Sequence, residues 1–234
     1  MSKIIGIIGA MEVEIQTLLA ALDEEQCVSR ASMEFHEGTI GGVRVVIVRS
    51  GIAKVNAALC VQILADTFHV THVINTGVAG SLNAKINIGD VVISTDACFH
   101  DVDATVFGYR PGEIPQLGRL EFPADKELAD QLVEAVKAAS PDIGIHRGRV
   151  VSGDQFISDP AVKKRIVDTF DGLCTEMEGA AIAQACFLNG IPFCIVRAIS
   201  DKADGSDLMD YPSFEKKASC DCAALVRNFL EKQA

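Results

Sequence analysis

The sequence predicts an α/β fold: a three-layer α/β/α single domain over residues 1–234, built on a mixed, twisted central sheet. Three observations carry this prediction. Apolar runs of strand length alternate with segments of helical periodicity along the whole chain. Most of these runs are apolar at nearly every position, as in KIIGIIGA at 3–10, which marks strands covered on both faces. Residues 33–41 and 43–50 flank Gly41-Gly42 and read as a hairpin, which makes the sheet mixed. The 234 residues carry no repeat, linker or composition break, and that length suits one large domain.

The first strand, 3–10, ends near Gly9. Met11-Glu12-Val13-Glu14 occupy the turn and first helical turn, and Ile15, Leu18, Leu19 and Leu22 continue at helical spacing. VRVVIVRS at 43–50 is β-branched and apolar, a strand ended by Gly51. Val55, Leu59 and Ile63 share one face of a helix over 53–68. HVINTGVAGS at 72–81 reads as a strand entering a Gly-rich turn, and IGDVVIST at 88–95 as the next strand. Residues 100–123 form the longest irregular stretch. Such a stretch in a compact domain is usually functional or an interface. A helix over 124–139 precedes a strand at 147–154. A helix over 159–170 precedes a short strand at 173–179 that runs into a helix through 189. PFCIVRAISD at 192–201 is a buried strand with Asp201 at its end, and 212–232 is the closing helix.

Composition excludes several classes of function. Lys and Arg number 21 against 32 Asp and Glu, a net charge of −11. Phosphate backbones require clustered cations, so no nucleic-acid partner is expected. Lys163-Lys164-Arg165 and Lys216-Lys217 read as solvated helix faces. No apolar run reaches the roughly 20 residues of a membrane span, so no membrane partner is expected. The N-terminus reads as a first strand and not a signal peptide. Cys60, Cys98, Cys186 and Cys194 lie inside apolar segments, the pattern of reduced core thiols in a cytoplasmic protein. Cys220-x-Cys222 lacks partners at ligand spacing and reads as two positions on a helix rather than a zinc site.

Ligands of open α/β sheets bind beyond the carboxyl ends of strands. Polar residues gather at that edge: Glu12 and Glu14, Asn75 and Thr76, Ser152 and Asp154, Glu176 and Glu178, Arg197, Ser200 and Asp201. Each has a plain structural alternative. Glu12 and Glu14 suit the start of a helix dipole. Glu176 and Glu178 share a face if extended, and one of them is a candidate partner for Arg197. Asp201 suits an N-cap. Gly77-x-x-Gly80 lacks the spacing of a phosphate loop. His100-Asp101-x-Asp103 has one His and no second cluster, too little for a metal site. Phe156 and Tyr211 alone read as ordinary aromatics. Acidic positions at three strand ends point to acid–base hydrolytic chemistry.

The segments IIGIIGAMEVE, SGIAKVNAA, INTGVAGSL, GDVVIS, HDVDATVFGY, VSGDQFI, EMEGAAIA and VRAISDKAD follow one another across roughly residues 4–230. Together they resemble bacterial 5′-methylthioadenosine/S-adenosylhomocysteine nucleosidases, of the nucleoside phosphorylase/hydrolase superfamily. The resemblance implies a homodimer without metal or cofactor. It implies release of adenine from adenosine thioethers, and from 5′-deoxyadenosine, in methionine salvage and methyl-cycle detoxification. It makes Glu14 the general base and Asp201 the general acid toward the purine. An unperturbed Asp, with pKa about 3.9, is ionised at neutrality, so burial or the ligand must keep the proton on Asp201. Glu178 corresponds to the ribose-binding carboxylate, Met177 to the residue against the sugar, and Arg197 to a support for the site, with Ser200 beside Asp201. Phe156 corresponds to the residue that stacks on the base, and Ile157 to the one that reads adenine through its backbone. Ala79 and Gly80 would line the sugar–base side, and Met11, Ile52 and Tyr211 an apolar 5′ pocket. Phe107 and Pro115 correspond to positions that the family supplies across the dimer interface.

The chain departs from the family pattern at Val78, Ala53 and Tyr211, where close relatives commonly carry Ser, Gly and Phe. The departures bear on substrate preference rather than on the reaction. A phosphorylase of the same superfamily is the main competitor, but two carboxylates in the first loop would repel phosphate. A nucleoside sensor would not need both proton-transfer carboxylates. A hydrolase of 6-amino-6-deoxyfutalosine stays open.

Overall fold

A computed structural model of the chain describes residues 3–205 and 211–233, without the side chains of 211–213. Among these residues are ten strands and six helices. The strands are β1 (Ile4–Gly9), β2 (Asp23–Arg30), β3 (Met33–Ile40), β4 (Val43–Arg49), β5 (His72–Ser81), β6 (Val91–Phe99), β7 (Glu121–Pro123), β8 (Ile145–Ser152), β9 (Cys174–Glu176) and β10 (Phe193–Asp201). The helices are α1 (Glu12–Leu19), α2 (Lys54–Phe68), α3 (Lys126–Ala139), α4 (Pro160–Phe170), α5 (Gly179–Asn189) and α6 (Tyr211–Glu231).

All ten strands form one mixed sheet, in the order β10-β6-β8-β9-β5-β1-β4-β3-β2, with β7 on β6. β1, β4, β5 and β10 run parallel, whereas β6 is antiparallel to β10 and β9 to β5. The order does not stay open. β10 also pairs with β5, so β5, β10, β6, β8 and β9 close into a ring. The apolar faces explain the three layers. Ile8, Val46, Val48 and Val73 pack against Ala57, Cys60 and Leu64 of α2 and Ile182 and Cys186 of α5. Ile5, Ile7, Val45 and Ile47 pack on the other face with Leu18 of α1, Leu132 of α3 and Phe229 of α6. A strand buried on both faces is apolar at successive positions, as β1 is throughout and β10 is from Phe193 to Val196 before its polar Arg197, Ser200 and Asp201.

The structure differs from expectation at four places. β2 was not foreseen: it is an edge strand with seven of eight positions exposed, so burial imposes no apolar alternation on it. β6 starts at Val91, because Asp90 caps a turn by accepting from Asn87 N at 2.8 Å. The stretch 100–123 contains a 3-10 turn at Thr105–Phe107 and the short β7. The expected Gly-rich turn does not exist; β5 continues through Ser81. Its glycines serve close approach instead. A Cβ on Gly77 would stand 2.2 Å from Arg197 Nη1 and 2.3 Å from Glu14 Oε1, and one on Gly80 2.8 Å from Asp201 Oδ1.

Phe229 anchors α6 to the sheet and is fully buried. Phe229→Ala should cost about 3–5 kcal/mol of folding stability, read as a lower urea midpoint, and leave the carboxylate site intact in the folded fraction.

Candidate active site

Four strand ends converge on one cavity of about 290 Å³. Met11 and Glu14 reach it from the β1–α1 junction. Val78, Ala79 and Gly80 reach it from β5, Met177 and Glu178 from the end of β9, and Ser200 and Asp201 from β10. Ile52 and Phe156 close its sides. A smaller recess lined by Phe156, Ile157, Gly80 and Asp201 adjoins it.

Glu14 is fixed by its own helix start. Its Oε2 accepts from Ala10 N at 2.6 Å and Met11 N at 3.0 Å, and its Oε1 from Val78 N at 3.1 Å. Three N–H donors and a helix N-terminus favour the ionised form. Burial opposes them more strongly and raises the carboxyl above its ordinary range. The helix-dipole alternative therefore holds for Glu14 as well as for Glu12, which is exposed and lies 3.7 Å from Arg49.

Behind the cavity lies Arg197, 1% exposed and shared by three carboxylates. Its Nη2 donates to Glu176 Oε2 and, at 2.5 Å, to Asn75 Oδ1. Glu178 Oε2 is 3.7 Å away and Glu14 Oε1 3.9 Å. Glu176 is therefore the direct partner, the alternative the sequence left open between it and Glu178. Glu176 also accepts from Ser152 Oγ and from the N–H groups of Glu178 and Gly179 at the start of α5. With every acceptor engaged, it holds Arg197 in place and leaves Glu178 to face the cavity. Arg197 itself is no part of the cavity wall. Burial, and next the neighbouring Glu176 charge, push the Glu178 carboxyl up to about 7.

Glu178 Oε1 accepts from Ala53 N at 2.9 Å. Ala53 adopts φ +80°, ψ 166°, a conformation that glycine takes freely and alanine does not. The alanine at this position thus carries backbone strain, on the order of 1–3 kcal/mol, at the residue that touches the carboxylate. Asp201 accepts from Ser200 Oγ at 2.9 Å and from Ala203 N at 2.7 Å, so it also performs the capping role that its position suggested.

The remaining residues fall into place or outside it. Phe107 is 81% exposed and Pro115 is exposed; neither lines this chain's own cavity. The side chain of Tyr211 lies outside the described residues. Three cavity residues were missed, one of them Ala10 at the end of the first strand. Glu215 of α6 lies on a helix whose pattern gave no sign of it, and Thr175 has a buried Oγ1 without a hydrogen-bond partner among the described residues. The His100 motif is otherwise engaged: Asp101 binds Lys54 Nζ at 2.7 Å, and Asp103 caps the 3-10 turn through Thr105 N at 2.9 Å. Burial lowers the His100 pKa, which favours the neutral ring.

Comparison with known proteins decides the family. The sequence pattern of the phosphorylase superfamily matches residues 4–231. A 5′-methylthioadenosine/S-adenosylhomocysteine nucleosidase of Halalkalibacterium halodurans is 42% identical over 225 residues, 95% of each chain. The chain belongs to this nucleosidase family. The solved structure of the Neisseria meningitidis nucleosidase in complex with methylthio-immucillin-A superposes with a TM-score of 0.94 at 37% identity, over 98% of this chain and 99% of that one. The Colwellia psychrerythraea nucleosidase in complex with adenine gives 0.94 at 37% identity, over 98% and 95%. The mixed α/β/α fold expected from the sequence is thus the fold of solved nucleosidases.

A carboxyl raised in the folded state stabilises it fully below its unfolded pKa and loses that contribution as pH rises through the folded value. For Glu178 the window runs from about 4.5 to about 7. Urea unfolding of the ligand-free nucleosidase-family protein should show wild type losing stability relative to Glu178→Gln between about pH 4.5 and about pH 7, on the order of 1–3 kcal/mol. Parallel curves for the two proteins would contradict the assignment.

Proposed function

We propose that this cavity hydrolyses the N-glycosidic bond of 5′-methylthioadenosine and S-adenosylhomocysteine, and of 5′-deoxyadenosine, with release of adenine. The observation that carries the reading is the division of the cavity between carboxylates and apolar walls. Glu14, Glu178 and Asp201 stand on the sheet edge, and Met11, Ile52 and Phe156 cover the sides. A nucleoside with an apolar 5′ substituent has the same division.

Adenine occupies the recess between Phe156 and Asp201, where Ile157 offers its backbone N–H and C=O. Glu178 accepts both hydroxyls of the ribose diol, charge-assisted bonds that require its ionised form. Met177 lies against the sugar, and Ala79 and Gly80 admit it closely. The 5′ group lies against Met11 and Ile52, with Tyr211 assigned to the same wall. Asp201, held by Ser200, protonates N7, because adenine leaves poorly as an anion. The sugar becomes oxocarbenium-like, and water deprotonated by Glu14 attacks from the opposite face, the two-carboxylate logic of inverting glycosidases. Each carboxylate oxygen has two lone pairs, and Glu14 Oε1 uses one on Val78 N, which leaves capacity for that water. Arg197 orients the three glutamates from behind. The product chemistry fits methionine salvage and removal of methyl-cycle by-products.

Hydrolysis is favoured over phosphorolysis by charge. Among the described residues the cavity wall holds Glu14, Glu176, Glu178, Asp201 and Glu215 and no Lys or Arg. A phosphate dianion would meet repulsion there.

We further propose a two-fold homodimer that is cytoplasmic. Val55 of α2, Val106, Phe107 and Leu188 of α5 are between 63% and 85% exposed. Val55, Val102, Ile114 and Leu188 line one groove. Exposed apolar area of this kind marks an interface. Closing it would bring Phe107 and Pro115 to the partner's 5′ pocket. Six of eight cysteines are buried free thiols, which supports a reducing compartment. Among the described residues no helix is long and apolar enough to cross a membrane.

The decisive experiment measures adenine release in phosphate-free buffer from Asp201→Asn and Glu14→Gln, on 5′-methylthioadenosine and on an analogue with a better leaving group. Asp201→Asn should lose about 10²–10⁴-fold on the natural nucleoside and much less on the analogue. Glu14→Gln should fall on both. The opposite pattern would reverse the two roles, and dependence on phosphate would make the protein a phosphorylase. For assembly, sedimentation should show a dimer, and Phe107→Ala should raise KM more than it lowers kcat. A fully active monomer would exclude the shared site.

A further inference from the structure

We propose that the outer face of the β2–β3 hairpin binds one zinc ion through Cys27, Glu34 and His36, with Glu25 orienting the imidazole. The site lies at the sheet edge, none of its residues lines the catalytic cavity, and it has no part in the reaction.

The register builds it. Cys27 pairs directly with His36 across the two strands, and Glu34 pairs with Ser29. Side chains alternate with period two, so Glu34 and His36 share a face with Cys27. The Cys27 sulfur, a Glu34 carboxylate oxygen and a His36 ring nitrogen all lie within 4.8 Å of one another. Tetrahedral zinc, at about 2.3 Å from sulfur and about 2.0–2.2 Å from nitrogen and oxygen, sets ligand atoms about 3.5 Å apart. Small rotations of Cys27 and Glu34, which are both exposed, close that difference. The frame does not need to move. Ala31 and Ser32 take φ +49° and +61° in the two-residue turn that fixes this register.

Two further observations point to a cation. Glu25 Oε1 lies 2.6 Å from His36 Nδ1, the carboxylate–imidazole pairing that orients metal-bound histidines; Nε2 then takes the ion. Among the described residues neither Glu25 nor Glu34 pairs with Lys or Arg. Arg44, on β4, pairs with Glu37, which points to the opposite face from Glu34 and His36. Three acidic-type groups therefore surround one imidazole without a counter-charge. On binding, the thiol proton leaves to solvent, a sulfur–zinc bond forms, and water fills the fourth position. Thiolate with imidazole selects zinc over magnesium or calcium. Because β2 pairs only with β3 among the described residues, the ion would clip the sheet edge.

The test is a Co²⁺ titration of the full chain followed by visible and near-ultraviolet absorption. Wild type should bind one Co²⁺ with a thiolate-to-cobalt charge-transfer band that stoichiometric Zn²⁺ removes. Cys27→Ser should abolish the band, and Glu25→Gln should weaken binding about 10–100-fold. Zn²⁺ should raise the Tm of wild type and not of Cys27→Ser, with nucleosidase turnover equal in both. Absence of the band in wild type would overturn the proposal. So would a band that survives Cys27→Ser, since that would place the thiolate at the half-exposed Cys220.

Discussion

Arg197 is the largest fully buried side chain among the described residues, and Glu14, Glu176 and Glu178 depend on its single positive charge. Three ionised carboxylates around one buried guanidinium would leave two charges uncompensated in a poorly solvated space. The protein meets this unevenly. Glu176 takes the direct contact with Arg197 and three further donors, from Ser152, Glu178 and Gly179. Glu14 takes three backbone donors. Glu178 takes one, from Ala53, and it is the carboxyl whose proton is held to about 7. The least supported acid is the one assigned to a ligand that brings its own donors.

That cluster dictates backbone around it. Gly77 has no Cβ because Arg197 and Glu14 occupy the space, and Gly80 leaves room for Asp201. Ser152 pairs with Glu176 in the β8–β9 register, so a strand pairing and a side-chain contact enforce one another. The strained Ala53 belongs to the same pattern: local conformation yields to the placement of a carboxylate.

Much of this was readable beforehand, for stated reasons. Strands buried on both faces announce themselves by unbroken apolar runs, and carboxylates at their ends stand out against that background. That pattern marked Glu14, Glu178 and Asp201 together with Glu12 and Glu176, the resemblance to the nucleosidases singled out the three, and all three line one cavity. Pairing across the sheet was not readable. Nothing local distinguishes Glu176 from Glu178; their roles follow from which oxygen meets Arg197, a contact across 21 residues. Gly77 and Gly80 resembled a turn because glycine signals both turns and close approach. β2 was invisible because an exposed edge carries no apolar period, and the Cys27–His36 pairing was hidden with it.

The ring closed by the β5–β10 pairing has a consequence for how the protein comes into being. The contacts that define the cavity join residues far apart in the chain: Arg197 with Asn75 across 122 positions, and Glu178 with Ala53 across 125. Such pairings come late, because loop closure must precede them. β10, the last strand in chain order among the described residues, carries both Arg197 and Asp201 and completes the ring. Until β10 joins β5, Glu14, Glu176 and Glu178 have no guanidinium beside them, so their burial as a compensated cluster waits on that strand.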